Sequence, residues 1–180
     1  MTRFTFIFIS FILLVSCKSE QPKPVSIIPK PLQIEYTHSG FTINNKTGIV
    51  FASNQEDYEK LASYLQSEIK NQLGIDLTIY TSDRAPKRNI IHLGFTDSED
   101  LGSEGYILET TKKAVSIEST HAHGSFYGIQ TLLQLIDIKK ENERFVFEST
   151  IPGVKIYDKP RFKWRGMHLD VCRHFYDKEF

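Results

Sequence analysis

The feature that most constrains this fold is a helical stripe in the first half of the chain. Between residues 54 and 73, apolar side chains recur at positions i, i+3, i+4 and i+7, the spacing of a helix that buries one face. Ser53 and Glu56 form a capping box at its start, and Gly74 is placed to end it. The same spacing predicts a second helix over about residues 124–137. Both helices need another layer against which to pack.

Short stretches with the composition of β-strands surround the two helices. Alternating apolar and polar residues predict strands at 106–109 and 114–118, joined by a hairpin-like loop. Further strands are predicted at 33–36, 41–43, 48–51, 77–80, 89–94 and 154–157. Because hairpin-length connections favour antiparallel pairing, the sequence predicts an α+β fold with a mostly antiparallel sheet and two helices on one face.

Composition excludes two classes of protein. The 180 residues carry 22 basic and 22 acidic side chains, so the formal net charge is zero at pH 7. Nucleic-acid binding needs a surplus of Lys and Arg to neutralise phosphates, and no nucleic-acid partner is therefore expected. The 13 Phe and 8 Tyr argue against an intrinsically disordered chain. The length is that of one domain or slightly more.

The first residues predict export and a lipid anchor. Arg3 precedes an apolar run at 4–15, which is shorter than the roughly 20 residues that span a membrane. The Leu-Val-Ser-Cys sequence that ends at Cys17 resembles the lipobox of bacterial lipoproteins. The resemblance implies a signal peptide at residues 1–16, a membrane-binding lipid on Cys17 and a polar tether at residues 17–24. An ordinary signal peptide or a short membrane anchor is the alternative.

The expected location is the bacterial cell envelope. Lys18, directly after the cysteine, is typical of lipoproteins that are sent to the outer membrane, where the protein would sit on the periplasmic or the outer face. With a lipid on Cys17, Cys172 has no partner for an intrachain disulfide. Cys172 is expected to be a small buried apolar residue rather than a nucleophile.

Common catalytic and ligand-binding motifs are missing from the sequence. His121 and His123 could chelate a metal, but no third ligand has a suitable spacing, so no metal site is expected. The sequence contains no G-x-S-x-G, G-x-G-x-x-G or P-loop motif. Serine hydrolase chemistry and nucleotide binding therefore have no support, and no cofactor is expected.

A polar cluster lies near the end of the chain. Residues 164–171 predict a buried strand, yet Arg165, Asp170, Arg173 and His174 fall within or beside it. Buried charges are costly unless they are paired and hydrogen-bonded. Asp170, Arg173 and His174 can form a structural ion network. Arg165 is better explained by a function, because its guanidinium fork suits contact with a carboxylate or with neighbouring sugar hydroxyls.

This cluster carries a resemblance to a known family. Residues 164–175, WRGMHLDVCRHF, resemble the first barrel strand of the family 20 glycoside hydrolases, the β-N-acetylhexosaminidases. The motif IPKP at 28–31, and later the stretches 105–108, 115–117 and 124–135, resemble that family's N-terminal domain. A similar domain precedes other glycosidase barrels, such as those of α-glucuronidases and O-GlcNAcases. The pattern R-G-x3-D-x2-R-H is what selects the hexosaminidases.

The resemblance implies a domain organisation and an activity. Residues 25–157 would form the N-terminal α+β domain, and residues 158–180 the start of a truncated (β/α)8 barrel. Enzymes of this family remove terminal β-linked N-acetylglucosamine or N-acetylgalactosamine with retention, and the substrate's own 2-acetamido oxygen is the nucleophile. They need no metal or organic cofactor. Arg165 would grip the 3- and 4-hydroxyls of the terminal sugar, while Asp170, Arg173 and His174 would support it or the fold.

No catalytic residue is expected within this chain. The family's catalytic Asp-Glu pair lies on a later barrel strand, beyond residue 180, so the chain by itself is expected to be inactive. Because it stops at Phe180, just after a new element has started, the chain is interpreted as the N-terminal portion of an exported hexosaminidase that acts on N-acetylhexosamine glycans. The alternative from another class is a non-catalytic lipoprotein module that binds or scaffolds glycans.

Overall fold

The computed structural model describes residues 24–51, 56–137, 140–141, 144–145, 148–170, 172 and 177. The strands that precede the second helix are β1 (Gln33–Tyr36), β2 (Phe41–Asn44), β3 (Gly48–Phe51), β4 (Thr78–Thr81), β5 (Ile90–Phe95), β6 (Tyr106–Thr110) and β7 (Ala114–Ser119). Those that follow it are β8 (Lys140–Glu141), β9 (Arg144–Phe145), β10 (Glu148–Ile151) and β11 (Val154–Asp158). The helices are α1 (Glu56–Leu73) and α2 (Ala122–Leu135).

The main sheet is mixed. In the described residues it has seven strands in the order β1-β11-β6-β7-β5-β3-β4. The pairings along β1-β11-β6-β7 are antiparallel, whereas those along β7-β5-β3-β4 are parallel. The α+β class is confirmed, but a mostly antiparallel sheet describes only one half. The other half is parallel because helical crossovers such as α1, between β3 and β4, return the chain to the same end of the sheet.

Both helices pack on one face of this sheet, as the sequence predicts. α1 contacts β3 and β4, α2 contacts β6 and β7, and the two helices contact each other. The apolar stripe of α1 is its buried side, with Leu65 and Ile69 inaccessible to solvent. These two side chains belong to the same apolar core as Leu108 and Ile117 of the sheet.

The helix ends and the helix–sheet contact depend on glycine. Gly74, at φ 70°, ends α1 and donates its N–H to the Lys70 carbonyl at 2.9 Å, as predicted. Ser53 of the predicted capping box lies outside the described residues. In α2, a Cβ on Gly124 would lie 2.2 Å from the Gly105 carbonyl oxygen. A Cβ on Gly128 would lie 2.5 Å from a methyl group of Ile117. The helix can approach the sheet this closely only because both positions lack a side chain.

Two small ribbons accompany the main sheet. β10 pairs with β2, and β8 pairs with β9, both antiparallel. The sequence analysis predicts β2 but not β8, β9 or β10. Ile151 of β10 and Phe41 of β2 are opposite each other and both are buried, so the first ribbon extends the core.

Residues 164–170, where the sequence predicts a buried strand of the barrel, form no strand in this chain, and Val171 lies outside the described residues. Residues 159–170, here called the exit segment, contain no helix or strand. Trp164 is 93% exposed and Met167 is 85% exposed. A strand exists through hydrogen bonds to a neighbour, and among the described residues no strand is paired with this segment. An apolar pattern alone does not supply that neighbour.

Residues 1–23, with the predicted signal peptide and Cys17, lie outside the described residues. Within the described ranges, no helix combines the length and the apolar character needed to cross a membrane.

Candidate functional site

A groove with a volume of about 660 Å³ lies between the chain segments that begin and end the folded domain. One wall is formed by residues 27–30, which precede β1, and the other by residues 158–162 with Arg165. Tyr106 of β6 and the α2 side chains Tyr127 and Gln130 also line it. This volume lies in the range of small-molecule sites in proteins.

Hydrogen bonds made by Tyr106 and Asp158 connect the elements around the groove. The Tyr106 hydroxyl lies 2.5 Å from Thr131 Oγ1 and donates to Asp158 Oδ2 at 3.4 Å. The other carboxylate oxygen of Asp158 accepts the Leu32 N–H at 3.1 Å. Burial raises the pKa of Tyr106 far above its ordinary value, so its hydroxyl stays a donor at neutral pH. This cluster holds the shape of the groove.

The first wall is fastened to α2 by one side chain. Gln134 accepts the Ile28 N–H at 2.9 Å and donates its own amide to the Ile28 carbonyl at 3.1 Å. The side chain of Ile28 is 78% exposed, so the backbone contacts rather than apolar burial fix this segment.

The structure places Arg165 at one end of the groove, against the folded domain. One terminal nitrogen donates to Glu104 Oε1, and the other donates to the Phe162 carbonyl at 2.7 Å. Glu104 also accepts a hydrogen bond from the Tyr127 hydroxyl at 3.2 Å. The hydrogen bond from Arg165 lowers the pKa of Glu104, and the same contact raises the pKa of Arg165. Both groups are therefore charged at neutral pH.

The other residues of the predicted cluster are not brought to the groove. Asp170 is exposed and accepts the Cys172 N–H at 2.9 Å; hydrogen bonds from the thiol and the amide of Cys172 lower its pKa. Arg173 and His174 lie outside the described residues, so their ion network stays a prediction. The prediction of a buried Cys172 is wrong, because the residue is exposed in the structure. Its hydrogen bond to Asp170 raises the pKa of the thiol, which disfavours a nucleophilic thiolate.

The two histidines lie at the start of α2. His121 and His123 are both exposed, and His121 Nδ1 lies 3.0 Å from the Thr120 hydroxyl. Across the described ranges, no three His, Cys, Asp or Glu residues come close enough together to hold a metal ion.

Sequence reasoning missed the partners of Arg165 and the groove itself. Glu104 lies in a polar loop before β6, and Tyr127 follows another aromatic residue, Phe126, on α2. Nothing local marks either residue, because their relation to Arg165 arises from tertiary contacts 61 positions apart in the case of Glu104. The two carboxylates of the groove, Glu104 and Asp158, are both hydrogen-bonded to fixed partners. The groove thus offers binding contacts rather than a free acid–base pair.

Comparisons with known proteins agree with this architecture. The model of glycosyl hydrolase family 20, domain 2, matches residues 24–159. A β-hexosaminidase of Porphyromonas gingivalis is 38% identical over 161 residues, covering 89% of this chain and 20% of the relative. The solved family 20 β-N-acetylhexosaminidase of Streptomyces coelicolor A3(2) superposes with a TM-score of 0.72 at 28% identity, covering 87% of this chain and 31% of that one.

A mutant β-hexosaminidase of Streptomyces plicatus, solved in complex with its product GlcNAc, is 26% identical with a TM-score of 0.71. It is covered over 31% of its length, while 87% of this chain is matched. This chain therefore spans between a fifth and a third of the relatives described here. The family match, the sequence identity and the shared fold together show that the chain belongs to glycoside hydrolase family 20.

Proposed function

We propose that this chain is the N-terminal portion of a β-N-acetylhexosaminidase that hydrolyses terminal β-linked N-acetylhexosamine from glycans. The observation that carries the proposal is the 38% identity to a β-hexosaminidase over 161 residues. That alignment covers 89% of the chain, more than the folded domain alone. The R-G-x3-D-x2-R-H pattern at 165–174 adds the likeness to the barrel strand of these enzymes.

The proposed mechanism is retaining and substrate-assisted. The 2-acetamido oxygen of the substrate attacks the anomeric carbon, while an acid on the later part of the barrel protonates the leaving oxygen. Arg165 binds the 3- and 4-hydroxyls of the terminal sugar. The planar guanidinium carries five N–H donors in a fixed fork, which suits two adjacent hydroxyl oxygens. Asp170, Arg173 and His174 support the strand that carries Arg165.

A hydrolysis assay tests this proposal. The barrel-containing enzyme, which is this chain continued through a family 20 catalytic barrel, is expected to release nitrophenol from p-nitrophenyl N-acetyl-β-glucosaminide. The 180-residue chain is expected to stay at background, because the catalytic Asp-Glu pair is placed beyond Phe180. Arg165→Ala in the active enzyme should reduce kcat/KM by about a hundredfold, the loss of two hydrogen bonds to a charged donor.

Two results would contradict the proposal. The first is nitrophenol release by the 180-residue chain above that of its own Arg165→Ala variant. The second is an inactive barrel-containing enzyme. If that inactive protein nevertheless bound N-acetylhexosamine glycans, the non-catalytic module would replace the proposed enzyme.

We also propose that the protein is exported and anchored by a lipid on Cys17, in the outer membrane of a bacterium. The support is the apolar run at 4–15 followed by the Leu-Val-Ser-Cys sequence. Metabolic labelling with palmitate in a bacterial host should mark the wild type but not Cys17→Ser. Cys172→Ser is the matched control and should keep the label. Labelling of Cys17→Ser would contradict the anchor.

A further inference from the structure

Basic side chains gather at one end of the main sheet. The loops that lead into the parallel strands β3, β5 and β7 carry four exposed basic residues, here called the basic end: Lys46, Arg88, Lys112 and Lys113. These loops are neighbours, because β7 pairs with β5 and β5 pairs with β3, and paired strands lie about 4.8 Å apart. The whole chain has no net charge, so this end concentrates positive charge in one place.

Hydrogen bonds hold the three loops against one another. The Lys113 carbonyl accepts the Asn89 N–H at 2.6 Å, and the Asn89 carbonyl accepts the Gly48 N–H at 3.0 Å. Thr47, which is 1% exposed, donates from Oγ1 to Asn89 Oδ1 at 2.8 Å. Asn89 in turn donates its side-chain amide to Asn44 Oδ1 at 3.2 Å. The basic residues therefore project from a base that is already fixed in the folded domain.

Nearby acidic residues leave this charge uncompensated. Among the side chains that the structure describes, no carboxylate forms an ion pair with any of the four basic residues. Asp76, which precedes β4 at the same end, pairs with Lys70 at 2.7 Å. Glu35 and Glu109 lie directly opposite Lys155 in the register of the sheet. The basic end is therefore available to an anionic partner.

The described chain begins near this same end. The Val25 N–H donates to the Tyr36 hydroxyl at 3.2 Å. Tyr36 ends β1, and the register through β11, β6 and β7 places it at the same end of the sheet as Lys113. Cys17 precedes Val25 by eight positions, which an extended chain spans in less than about 30 Å. Strand β11, in contrast, ends at Asp158, at the opposite end of the sheet.

We propose that the basic end is a docking surface for a membrane whose phospholipids carry anionic headgroups. Each Lys or Arg close to such a surface adds electrostatic attraction, which decays within a Debye length. A lipid on Cys17 attaches the chain at one point, whereas the basic end fixes which side of the domain faces the membrane. The opposite end, where the proposed barrel begins, then points away from it. The inference adds to the proposed anchor without requiring it, because the charges attract headgroups with or without a lipid.

Binding of the 180-residue chain to vesicles tests the inference. Cys17→Ser is present in every sample, so that no attached lipid contributes. Vesicles of phosphatidylcholine are compared with vesicles in which one third of the lipid is phosphatidylglycerol. Because the apolar run at 4–15 can bind both kinds of vesicle, the readout is the ratio of the two partition coefficients. Lys112→Gln combined with Lys113→Gln should lower this preference for anionic vesicles about twentyfold at low salt.

Arg161→Gln combined with Lys163→Gln is the matched control. It removes the same charge from two exposed residues beyond β11 and should keep the preference of the parent chain. All the changed side chains are exposed, so both double variants should keep the parent Tm. In about 0.5 M NaCl the preference should disappear, because the Debye length shrinks to a few ångströms.

Two results would overturn the inference. One is an equal preference for anionic vesicles in the two double variants, whether kept or lost, since net charge rather than the basic end would then decide binding. The other is weaker retention of the Lys112 and Lys113 double variant on heparin with no change on vesicles, which would indicate a soluble polyanion as the partner. Absence of the palmitate label would contradict the proposed anchor alone, because the vesicle experiment is made without a lipid on Cys17.

Discussion

Strand β11 and the exit segment that follows it are neighbours in sequence with opposite structures. Both carry the apolar pattern of a strand. In β11, β1 and β6 flank the strand on both sides, and Val154 and Ile156 are inaccessible to solvent within the apolar core. In the exit segment, Trp164 and Leu169 are 93% and 57% exposed. An apolar pattern typical of a strand therefore produces a strand only where neighbouring strands are available to pair with it.

The folded core should be far more sensitive to side-chain truncation than the exit segment. Ile117 lies in β7 and is inaccessible to solvent, so Ile117→Ala should lower the free energy of unfolding by about 3 kcal/mol, through lost burial and the cavity left behind. Leu169→Ala, in the exit segment, should change it by less than about 0.5 kcal/mol. Urea unfolding of the 180-residue chain measures both. A comparable loss in the two variants would mean that the exit segment packs into the core.

Two glycines, one in the folded domain and one in the exit segment, differ in the space around them. Gly124→Ala places a methyl group 2.2 Å from the Gly105 carbonyl oxygen, so it should destabilise the domain by about 2 kcal/mol despite the higher helix propensity of alanine. Apart from the two chain neighbours of Gly166, no described residue comes within 4 Å of the Cβ position there, and Gly166→Ala should leave Tm nearly unchanged. Thermal unfolding of the two variants measures both changes in Tm. Stabilisation by Gly124→Ala would show that α2 does not lie this close to the loop.

The smallest effect concerns the contact between the two regions and its dependence on pH. Arg165 lowers the pKa of Glu104 in the folded chain, so the contact favours folding above the ordinary glutamate pKa and this contribution is lost as the pH falls through the lowered value. An NMR titration of the Glu104 carboxyl should give a higher pKa in Arg165→Ala than in the wild type. The same pKa in both proteins would show that the two side chains do not meet.

The sequence predicts the parts of this protein that local pattern decides. The stripe of α1, the glycine that ends it and the hairpin β6–β7 follow from spacing and from turn chemistry. The parallel half of the sheet does not, because strand order depends on where α1 returns the chain. The strand at 164–170 is predicted from composition that requires a partner strand, and the described residues provide none.

The candidate site also contains one residue that the sequence marks and others that it does not. Arg165 stands out in the sequence because a charge within a buried apolar stretch is costly unless it is paired and hydrogen-bonded. Glu104 and Tyr127 do not stand out, since each is ordinary in its own segment and acquires a role only through contact with Arg165. Sequence reasoning identifies the residue that violates its local pattern, and the structure supplies the residues that accommodate it.

We propose that residues 164–170 belong to a strand of a hexosaminidase barrel, and that this strand forms only when the barrel is present. Amide hydrogen exchange at residues 164–170, measured in the 180-residue chain and in the barrel-containing enzyme, tests it directly. We predict exchange near the unprotected rate in the chain and slowing by at least about a hundredfold in the enzyme. Slow exchange in the 180-residue chain, or fast exchange in both proteins, would contradict the claim.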